Sequence, residues 1–375
     1  MKLERFKKND KQKKIIIGAI VGLIVLVGGI TLYRTFALYE EKKEFNVLKG
    51  RIPDFTKKVL TLAEAITSCN KDAATCLLEN SELEPNELAY DDTVDNNLRY
   101  IGANPNNYVN FNGELWRIIG VMNNIEDSEG NKGSHIKIIR NESIGIYSWD
   151  NKPSGTGSST SEYGSNDWTD STLMKVLNSG AYWNRTSGNC PYDPDAPTSG
   201  KTIACDFSNT GLTNEAKNMI ESVVWNLGSY NTREEVLASQ YYTYERGTIV
   251  YNGHPTTWIG KVGLMYPSDY GYATNGGSTT DRNTCLNTSL LKWNAKVIDC
   301  RGNDWLFDAS FHQWVLTPLS FQSDLVHTMF SNGIVEYHAA NVISLIRPTL
   351  YLSTNVEITD GNGSQENPYQ LKLGS

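Results

Sequence analysis

Residues 108–122 read YVNFNGELWRIIGVM, two apolar-rich runs joined by Asn112-Gly113. Asn-Gly between two such runs is typical of a type I′ turn, because both residues tolerate the positive φ angles that this turn requires. The stretch therefore predicts a β-hairpin with strands over 108–111 and 115–122. Residues 134–140 continue the alternation of apolar and polar side chains and predict a third strand.

The rest of the chain after residue 98 mixes short strands with short helices. Ser331-Asn332-Gly333 separates two apolar runs and predicts a second hairpin. Strands are expected over 312–317, 325–330, 333–338, 346–352 and 369–373. Helical spacing predicts helices over 168–178, with the N-cap at Asp170 or Ser171, and over 214–227 and 232–246. Because no βαβ alternation is present, the predicted class is α+β, with short antiparallel strands, few helices and long loops.

The N-terminus predicts where the rest of the chain is located. Positions 15–33 contain no charged residue, and the preceding head contains seven basic residues, Lys2, Arg5, Lys7, Lys8, Lys11, Lys13 and Lys14. An apolar run of this length can cross a bilayer as a helix, and a basic flank stays in the cytoplasm. We therefore expect a cytoplasmic head (1–14), a transmembrane or signal helix (15–36) and an exported remainder.

Two fates of this helix stay open. Its length favours a single-pass anchor in the cell membrane with the C-terminal domain outside the cell. Thr35 and Ala37 supply the small residues of a cleavage site, so secretion after cleavage near Ala37 is the alternative. A prepilin leader would carry a Glu within the apolar stretch, and 15–33 contains none. A pilin-like or matrix structural subunit is therefore the least favoured of these interpretations.

Residues 37–97 are expected to form a stalk. Leu38 to Gly50 is rich in charge, and Pro53 opens an amphipathic helix in which Phe55, Leu62 and Ile66 recur at helical spacing. A short disulfide loop would follow this helix. The folded extracellular α+β domain is expected over 98–373.

Six cysteines all lie beyond the apolar run, which fits disulfides formed in an oxidising compartment. Fifteen pairings are formally open. Proximity along the chain favours Cys69–Cys76, Cys190–Cys205 and Cys285–Cys300. A zinc site is not expected, because no Cys-x-x-Cys spacing occurs.

Charge and motifs exclude several classes of function. Residues 1–37 hold eight basic and two acidic residues, which leaves 26 basic and 40 acidic residues, a net charge of −14, in the remainder. Such an acidic domain is not expected to bind nucleic acid. No nucleophile elbow or phosphate-binding glycine motif occurs, so no catalytic, cofactor or metal residues are predicted. His327 and His338 would form a site only if they faced each other across the second hairpin.

Three loops are the predicted contact surfaces, because irregular segments on a rigid scaffold usually carry function. They span 150–167, 186–204 and 271–284. Aromatic residues in or beside them are expected to offer faces for stacking on a sugar or peptide. These residues are Trp149, Tyr163, Tyr192, Tyr270 and Tyr272.

Three motifs resemble a domain family of Gram-positive surface proteins whose activity is unassigned. Its N-G-x-x-W-R-I motif matches at Asn112, Gly113, Trp116 and Arg117; its W-x-x-S-x-L-x-x-x-L-N motif matches at Trp168, Ser171, Leu173, Leu177 and Asn178; its R-P-x-x-x-L motif matches at Arg347, Pro348 and Leu352. The resemblance covers about residues 98–373. More distantly, the layout is similar to the C-type-lectin-like fold of sulfatase-modifying-factor domains.

The leader and the three loops, taken with this resemblance, predict a membrane-anchored or secreted surface protein with a ligand-binding or adhesion domain. Its partners would be the membrane, through the N-terminal helix, and a glycan or another surface protein. The main alternative is an enzyme of the sulfatase-modifying-factor type or a hydrolase. The copper-binding members of that group need a pair of cysteines, and Cys285 and Cys300 are widely spaced for that role, so no catalysis is carried over.

Overall fold

The computed structural model describes residues 62–69, 87–230, 235–294 and 297–374. Eighteen strands run through this part of the chain. They are β1 (Leu88–Tyr90), β2 (Leu98–Tyr100), β3 (Tyr108–Phe111), β4 (Glu114–Glu126), β5 (Lys132–Arg140), β6 (Ile146–Ser148), β7 (Ser187–Pro191), β8 (Thr202–Asp206), β9 (Val223–Asn226), β10 (Thr257–Gly260), β11 (Val262–Gly263), β12 (Gln313–Pro318), β13 (Leu325–Met329), β14 (Val335–Ala339), β15 (Ile343–Leu345), β16 (Thr349–Tyr351), β17 (Val356–Asp360) and β18 (Tyr369–Leu373).

The helices of the same ranges are short. They are α1 (Leu62–Cys69), α2 (Thr172–Asn178), α3 (Ala181–Asn184), α4 (Asn214–Asn218), α5 (Ala238–Glu245), α6 (Pro267–Ala273), α7 (Arg282–Leu286), a 3₁₀ helix (Leu290–Lys292) and α8 (Ile298–Gly302). The predicted α+β class, with mostly strands and few helices, is confirmed.

A nine-stranded sheet forms the larger layer, in the order β11-β16-β5-β4-β3-β18-β17. The long strand β4 pairs with β3 through its first half and with β2 through its second, and β1 pairs with β2. All these pairs are antiparallel except β3 with β18. The sheet therefore joins elements from both ends of the described chain, because β16 pairs with β5 and β18 pairs with β3.

A five-stranded sheet forms the second layer, in the order β14-β13-β12-β15-β6. Only β12 and β15 pair in parallel. Two separate hairpin-like pairs, β9 with β10 and β7 with β8, complete the strands of the described ranges. The pair β7–β8 stands beside α2 and α3, where the candidate site lies.

Both predicted hairpins are confirmed. Asn112 and Gly113 adopt φ of 60° and 74°, and β3 pairs with β4 from Phe111↔Glu114 to Tyr108↔Arg117. The third predicted strand is β5, which pairs with β4. Helix α2 begins after Ser171, whose hydroxyl accepts a hydrogen bond from the amide of Met174 at 3.2 Å, as expected of an N-cap.

One helix prediction is wrong in part. The segment 214–227 is helical only over α4, and Val223–Asn226 forms strand β9 against β10. Val and Trp are better suited to a half-buried strand than to a helix, and pairing with β10 outweighs the weak helical periodicity. The predicted helix over 232–246 is shorter than expected, since α5 starts at Ala238.

The predicted boundary of the folded domain at residue 98 lies too far along the chain. In α1, Leu62, Ala65 and Ile66 are buried in the main core, and β1 pairs with β2. Residues 62–69 and 87–97 therefore belong to the folded body and not to a stalk. The apolar face of α1 is buried, as an amphipathic helix predicts, and it packs against the large sheet of this domain.

The leader helix over 15–36, the start of the amphipathic helix and Cys76 lie outside the described residues. Among the helices that the structure does describe, none has both the length and the apolar character needed to span a bilayer.

Candidate functional site

Two of the three predicted contact loops meet. The amide of Gly200 donates to the carbonyl of Asn151 at 3.1 Å, and the amide of Thr198 donates to the carbonyl of Glu162 at 2.8 Å. The Thr198 hydroxyl adds a hydrogen bond to the carbonyl of Lys152 at 2.7 Å. Loops 150–167 and 186–204 are therefore fastened to each other by backbone contacts.

A groove of about 470 Å³ opens beside this junction, between the α2–α3 helix pair and the β7–β8 hairpin. This volume falls within the usual range for small-ligand sites. Three amide side chains line the groove, from Asn151, Asn184 and Asn189. Five hydroxyl side chains line it, from Thr172, Ser179, Thr186, Ser187 and Thr202. Val176, Ala181 and Pro191 contribute apolar surface.

Close approach between helix and hairpin shapes the walls of the groove. A Cβ on Gly188 in β7 would lie 2.8 Å from the Cβ of Ala181, and a Cβ on Gly180 would lie 2.9 Å from the carbonyl oxygen of Lys175. Both distances are shorter than real Cβ contacts. Glycine at position 188 allows β7 to pack closely on α3, and glycine at position 180 allows the tight turn from α2 into α3.

A disulfide between Cys190 and Cys205 closes the hairpin wall, with a Cα–Cα distance of 5.9 Å. A second disulfide joins Cys285 and Cys300 at 5.4 Å. Both pairings were predicted from proximity and are confirmed. The third predicted pair, Cys69–Cys76, lies outside the described side chains. An enzyme that uses Cys285 and Cys300 as free thiols would need this second disulfide reduced.

Charge at the groove is largely neutralised. Lys175 Nζ lies 2.8 Å from Asp170 Oδ1, and Lys152 Nζ lies 2.7 Å from Asp170 Oδ2. Burial alone would raise the pKa of Asp170, but hydrogen bonds from the two lysines hold that pKa below its usual range. No carboxylate occurs among the described lining residues. The groove therefore suits an uncharged ligand better than an ionic one.

Asp150 fixes the base of the site. Its Oδ1 accepts hydrogen bonds from the amide and hydroxyl of Thr172 at 3.0 and 3.1 Å, and its Oδ2 accepts from the amide of Ser165 at 3.0 Å. Burial raises the pKa of Asp150, and Lys152 at 3.8 Å opposes that effect. This carboxyl group ties the start of α2 to the loop and does not line the groove.

Several lining side chains are available to a ligand. Thr186, Asn189 and Thr202 are exposed, and in the described part of the structure their side chains make no hydrogen bond. These three residues were not singled out by sequence. The signal that could have found them is the concentration of small polar residues around Cys190, in the run N-R-T-S-G-N-C from Asn184 to Cys190.

The aromatic contact residues are mostly misassigned. Trp149 and Tyr270 are 0% exposed and Tyr272 is 3% exposed, so they offer no face to a ligand. The ring of Trp149 packs 4.8 Å from that of Trp168, and the Tyr270 hydroxyl donates to the carbonyl of Gly333 at 2.8 Å. Large aromatic rings bury more apolar area when they pack in the core than when they lie on an exposed loop.

Tyr163 and Tyr192 remain accessible. Tyr163 is 41% exposed and Tyr192 is half-buried, and both belong to the two joined loops. Loop 271–284 contributes nothing to the groove. It packs instead against α8, where Asp299 accepts hydrogen bonds from Thr279 and Thr280.

The motif residues hold the scaffold together. Trp116 and Trp168 are 0% exposed. Asn178 donates to the carbonyl of Val262 at 2.8 Å and accepts from its amide at 3.0 Å, which joins α2 to β11. Arg347 donates to the carbonyl of Arg140 at 2.9 Å, and the carbonyl of Pro348 accepts from the Arg140 amide at 2.9 Å.

Arg117 lies between two aromatic rings. Its guanidinium is 4.2 Å from the ring centre of Tyr108 and 4.6 Å from that of Trp305. Its Nε donates to Asn107 Oδ1 at 2.8 Å. None of the motif residues that the resemblance singled out lines the groove.

The histidines do not combine into a site across the second hairpin. His327 lies opposite Tyr337, and His338 lies opposite Val326. His338 instead packs near His312, with ring centres 5.2 Å apart. Within the described ranges, no group of three or more His, Cys, Asp or Glu residues is placed to hold a metal ion.

Comparison of the chain with protein-family models, with curated proteins and with solved structures gave no match. The candidate site is therefore defined by its own geometry.

Proposed function

We propose that this chain is a cell-surface recognition protein whose C-type-lectin-like domain binds an uncharged, hydroxyl-rich ligand, such as a glycan or the glycan of a neighbouring surface molecule, in the groove beside the β7–β8 hairpin. The helix expected over 15–36 tethers it to the membrane as a single-pass protein, or directs its secretion when the chain is cleaved near Ala37. The domain belongs to the Gram-positive surface-protein family that its motifs resemble.

The observation that carries the proposal is the convergence of loops 150–167 and 186–204 on one groove lined by amides and hydroxyls. Thr186, Asn189 and Thr202 present hydrogen-bonding groups there that have no partner among the residues the structure describes. Sugars are recognised by such convergent polar groups in a concave site. A ligand with many hydroxyl groups can exchange its bonds with water for bonds to these side chains.

Two further observations support the location of the domain outside the cytoplasm and the class of its partner. The Cys190–Cys205 and Cys285–Cys300 disulfides are typical of proteins folded outside the reducing cytoplasm. The net charge of −14 after residue 37 disfavours polyanionic partners such as nucleic acid.

The test uses the full-length protein, solubilised in detergent, on an array of bacterial and host glycans. We expect binding to a subset of uncharged glycans. Asn189→Trp should abolish this binding, because the indole would fill the groove from an exposed position. Asn209→Trp is the matched control: Asn209 is also exposed, and it does not line the groove.

Equal loss of binding in both variants would show that recognition does not depend on the groove. If the unaltered protein bound neither the glycans of the array nor isolated cell-envelope fractions, the proposal would be overturned.

A further inference from the structure

Asn151 is the most deeply buried amide of the groove, with 3% of its surface exposed. Its Nδ2 donates to the carbonyl of Lys201 at 2.5 Å, which fixes the orientation of the amide group. In the described part of the structure, its Oδ1 accepts no hydrogen bond. A side-chain amide oxygen has two acceptor positions. The base of the groove therefore offers an acceptor that a ligand N–H or O–H can satisfy.

Apolar surface lines the same groove as this acceptor. Val176 and Ala181 are 6% and 9% exposed, and Pro191 is also buried, yet all three line the groove. A plain sugar hydroxyl placed against them would lose its bonds to water without replacing them, which is unfavourable. A methyl group would gain from the same contact.

The rim supplies the complementary donors. The Asn189 amide and the hydroxyl groups of Thr186 and Thr202 are exposed and unengaged among the described residues. They can donate to a ligand carbonyl oxygen. The groove thus combines an acceptor at its base, a small apolar surface and donors at its rim.

An acetamido group carries the matching set: an N–H donor, a methyl group and a carbonyl acceptor. We infer that the ligand of this groove is a glycan that contains an N-acetylated amino sugar. The acetamido N–H donates to Asn151 Oδ1, its methyl packs on Val176, Ala181 and Pro191, and its carbonyl accepts from the rim. This inference rests on the proposed function and specifies its substrate class.

Other ligand classes fit less well. An acidic sugar would need a cation, and Lys175 is already paired with Asp170 at 2.8 Å. A cationic ligand would need a carboxylate, which the described lining residues do not supply. A hexose without an N-acetyl group could donate a hydroxyl to the Asn151 acceptor, but it would bring no methyl group to the apolar surface and no carbonyl oxygen to the rim donors.

The experiment compares two probes that differ only in the acetamido group. Chitotriose, a trimer of N-acetylglucosamine, and cellotriose, the corresponding trimer of glucose, are titrated into the full-length protein in detergent by isothermal calorimetry. We expect saturable binding of chitotriose and binding of cellotriose at least about tenfold weaker, because cellotriose has no methyl group to pack on the apolar surface.

Exposed variants test the placement without endangering the fold. Asn189→Ala and Thr202→Ala remove rim donors and should each weaken chitotriose binding several-fold. Asn209→Ala, an exposed amide outside the groove, should leave it unchanged.

Equal affinity for the two trimers would overturn the inference while leaving a glycan-binding groove in place. Failure of both trimers, with only glycans that lack N-acetyl groups bound on the array, would likewise overturn the inference alone. Failure of every glycan would remove the proposed function as well.

Discussion

Lys137 Nζ lies 2.5 Å from Asp269 Oδ2, and both side chains are no more than 2% exposed. Arg99 completes the cluster, with its Nη1 2.8 Å from Asp269 Oδ1 and its Nε 2.7 Å from Asp91 Oδ2. These contacts join β5, β2, α6 and the connection after β1. Burial alone would raise the pKa of Asp269, but Lys137 and Arg99 lower it to about 2. The cluster is enclosed by aromatic rings, including Tyr266 at 4.3 Å from Lys137 Nζ.

Loss of one partner from this cluster is expected to be costly. Lys137→Met should lower the free energy of unfolding by about 3–5 kcal/mol, because it leaves a buried carboxylate with one cation fewer. Denaturant unfolding measures this change. Lys132→Met, on the same strand but at an exposed pair 3.8 Å from Glu126, is the control and should cost less than about 1 kcal/mol. Similar losses in the two variants would show that the enclosed cluster contributes little.

Acid should destabilise the fold through His327. This ring is 0% exposed, its Nδ1 donates to the carbonyl of Thr317 at 2.9 Å, and its Nε2 accepts from the Tyr230 hydroxyl at 3.0 Å. Burial lowers the pKa of His327 to about 4, whereas in the unfolded chain it titrates near 6.5. Below pH 6.5 the unfolded state therefore binds more protons.

The stability that depends on neutral His327 should be complete above pH 6.5 and should fall by up to ~3 kcal/mol as the pH approaches 4. The free energy of unfolding, measured by denaturant titration at several pH values between 4 and 6.5, gives the slope of stability against pH. His327→Gln can keep both hydrogen bonds without a titrating group, so it should reduce the slope, and His338, whose pKa burial also lowers to about 4, contributes the remainder. An unchanged slope in that variant would assign the pH dependence to other groups.

The two disulfides form a matched pair, since each joins cysteines 15 residues apart. Replacing both members of either pair with alanine should cost about 3 kcal/mol of stability, because loops of this length are equally constrained in the unfolded state. Only loss of Cys190–Cys205 should also weaken glycan binding, because that bond closes the wall of the groove. Binding is measured at a temperature where both variants are folded. Equal effects on binding would argue against the hairpin as part of the site.

Asn178 takes the place of a neighbouring strand at the edge of β11. Its side chain bonds both backbone groups of Val262, at 2.8 and 3.0 Å. Asn178→Ala should lower the free energy of unfolding by about 1–3 kcal/mol, because it leaves these groups without partners. Urea denaturation tests this, with Asn209→Ala as an exposed control expected to stay within about 0.5 kcal/mol. A loss no greater than that of the control would contradict the structural role assigned to Asn178.

The features that the sequence predicted correctly depend on interactions between residues close in the chain. The turn at Asn112-Gly113, the N-cap at Asp170 or Ser171 and the pairing of Cys190 with Cys205 each depend on residues close in sequence. The turn and the disulfide were predicted correctly, and the structure selects Ser171 as the N-cap. The strand over Val223–Asn226 was missed because it exists only through its pairing with Thr257–Gly260. Periodicity over a few residues is a weak signal beside such a partner.

The candidate site, too, was predictable from the sequence only in part. The sequence determined which segments are polar and which one is closed by a disulfide, and two of the three predicted loops meet at the groove. The prediction that 186–204 is irregular is wrong in part, because Ser187–Pro191 pairs with Thr202–Asp206. Only the tertiary structure decided that Trp149 faces the core, where its ring lies 5.9 Å from that of Trp314, and that Asn151 and Asn189 face a common space. Side-chain burial is set by contacts between residues far apart in the chain, and one strand or loop does not contain that information.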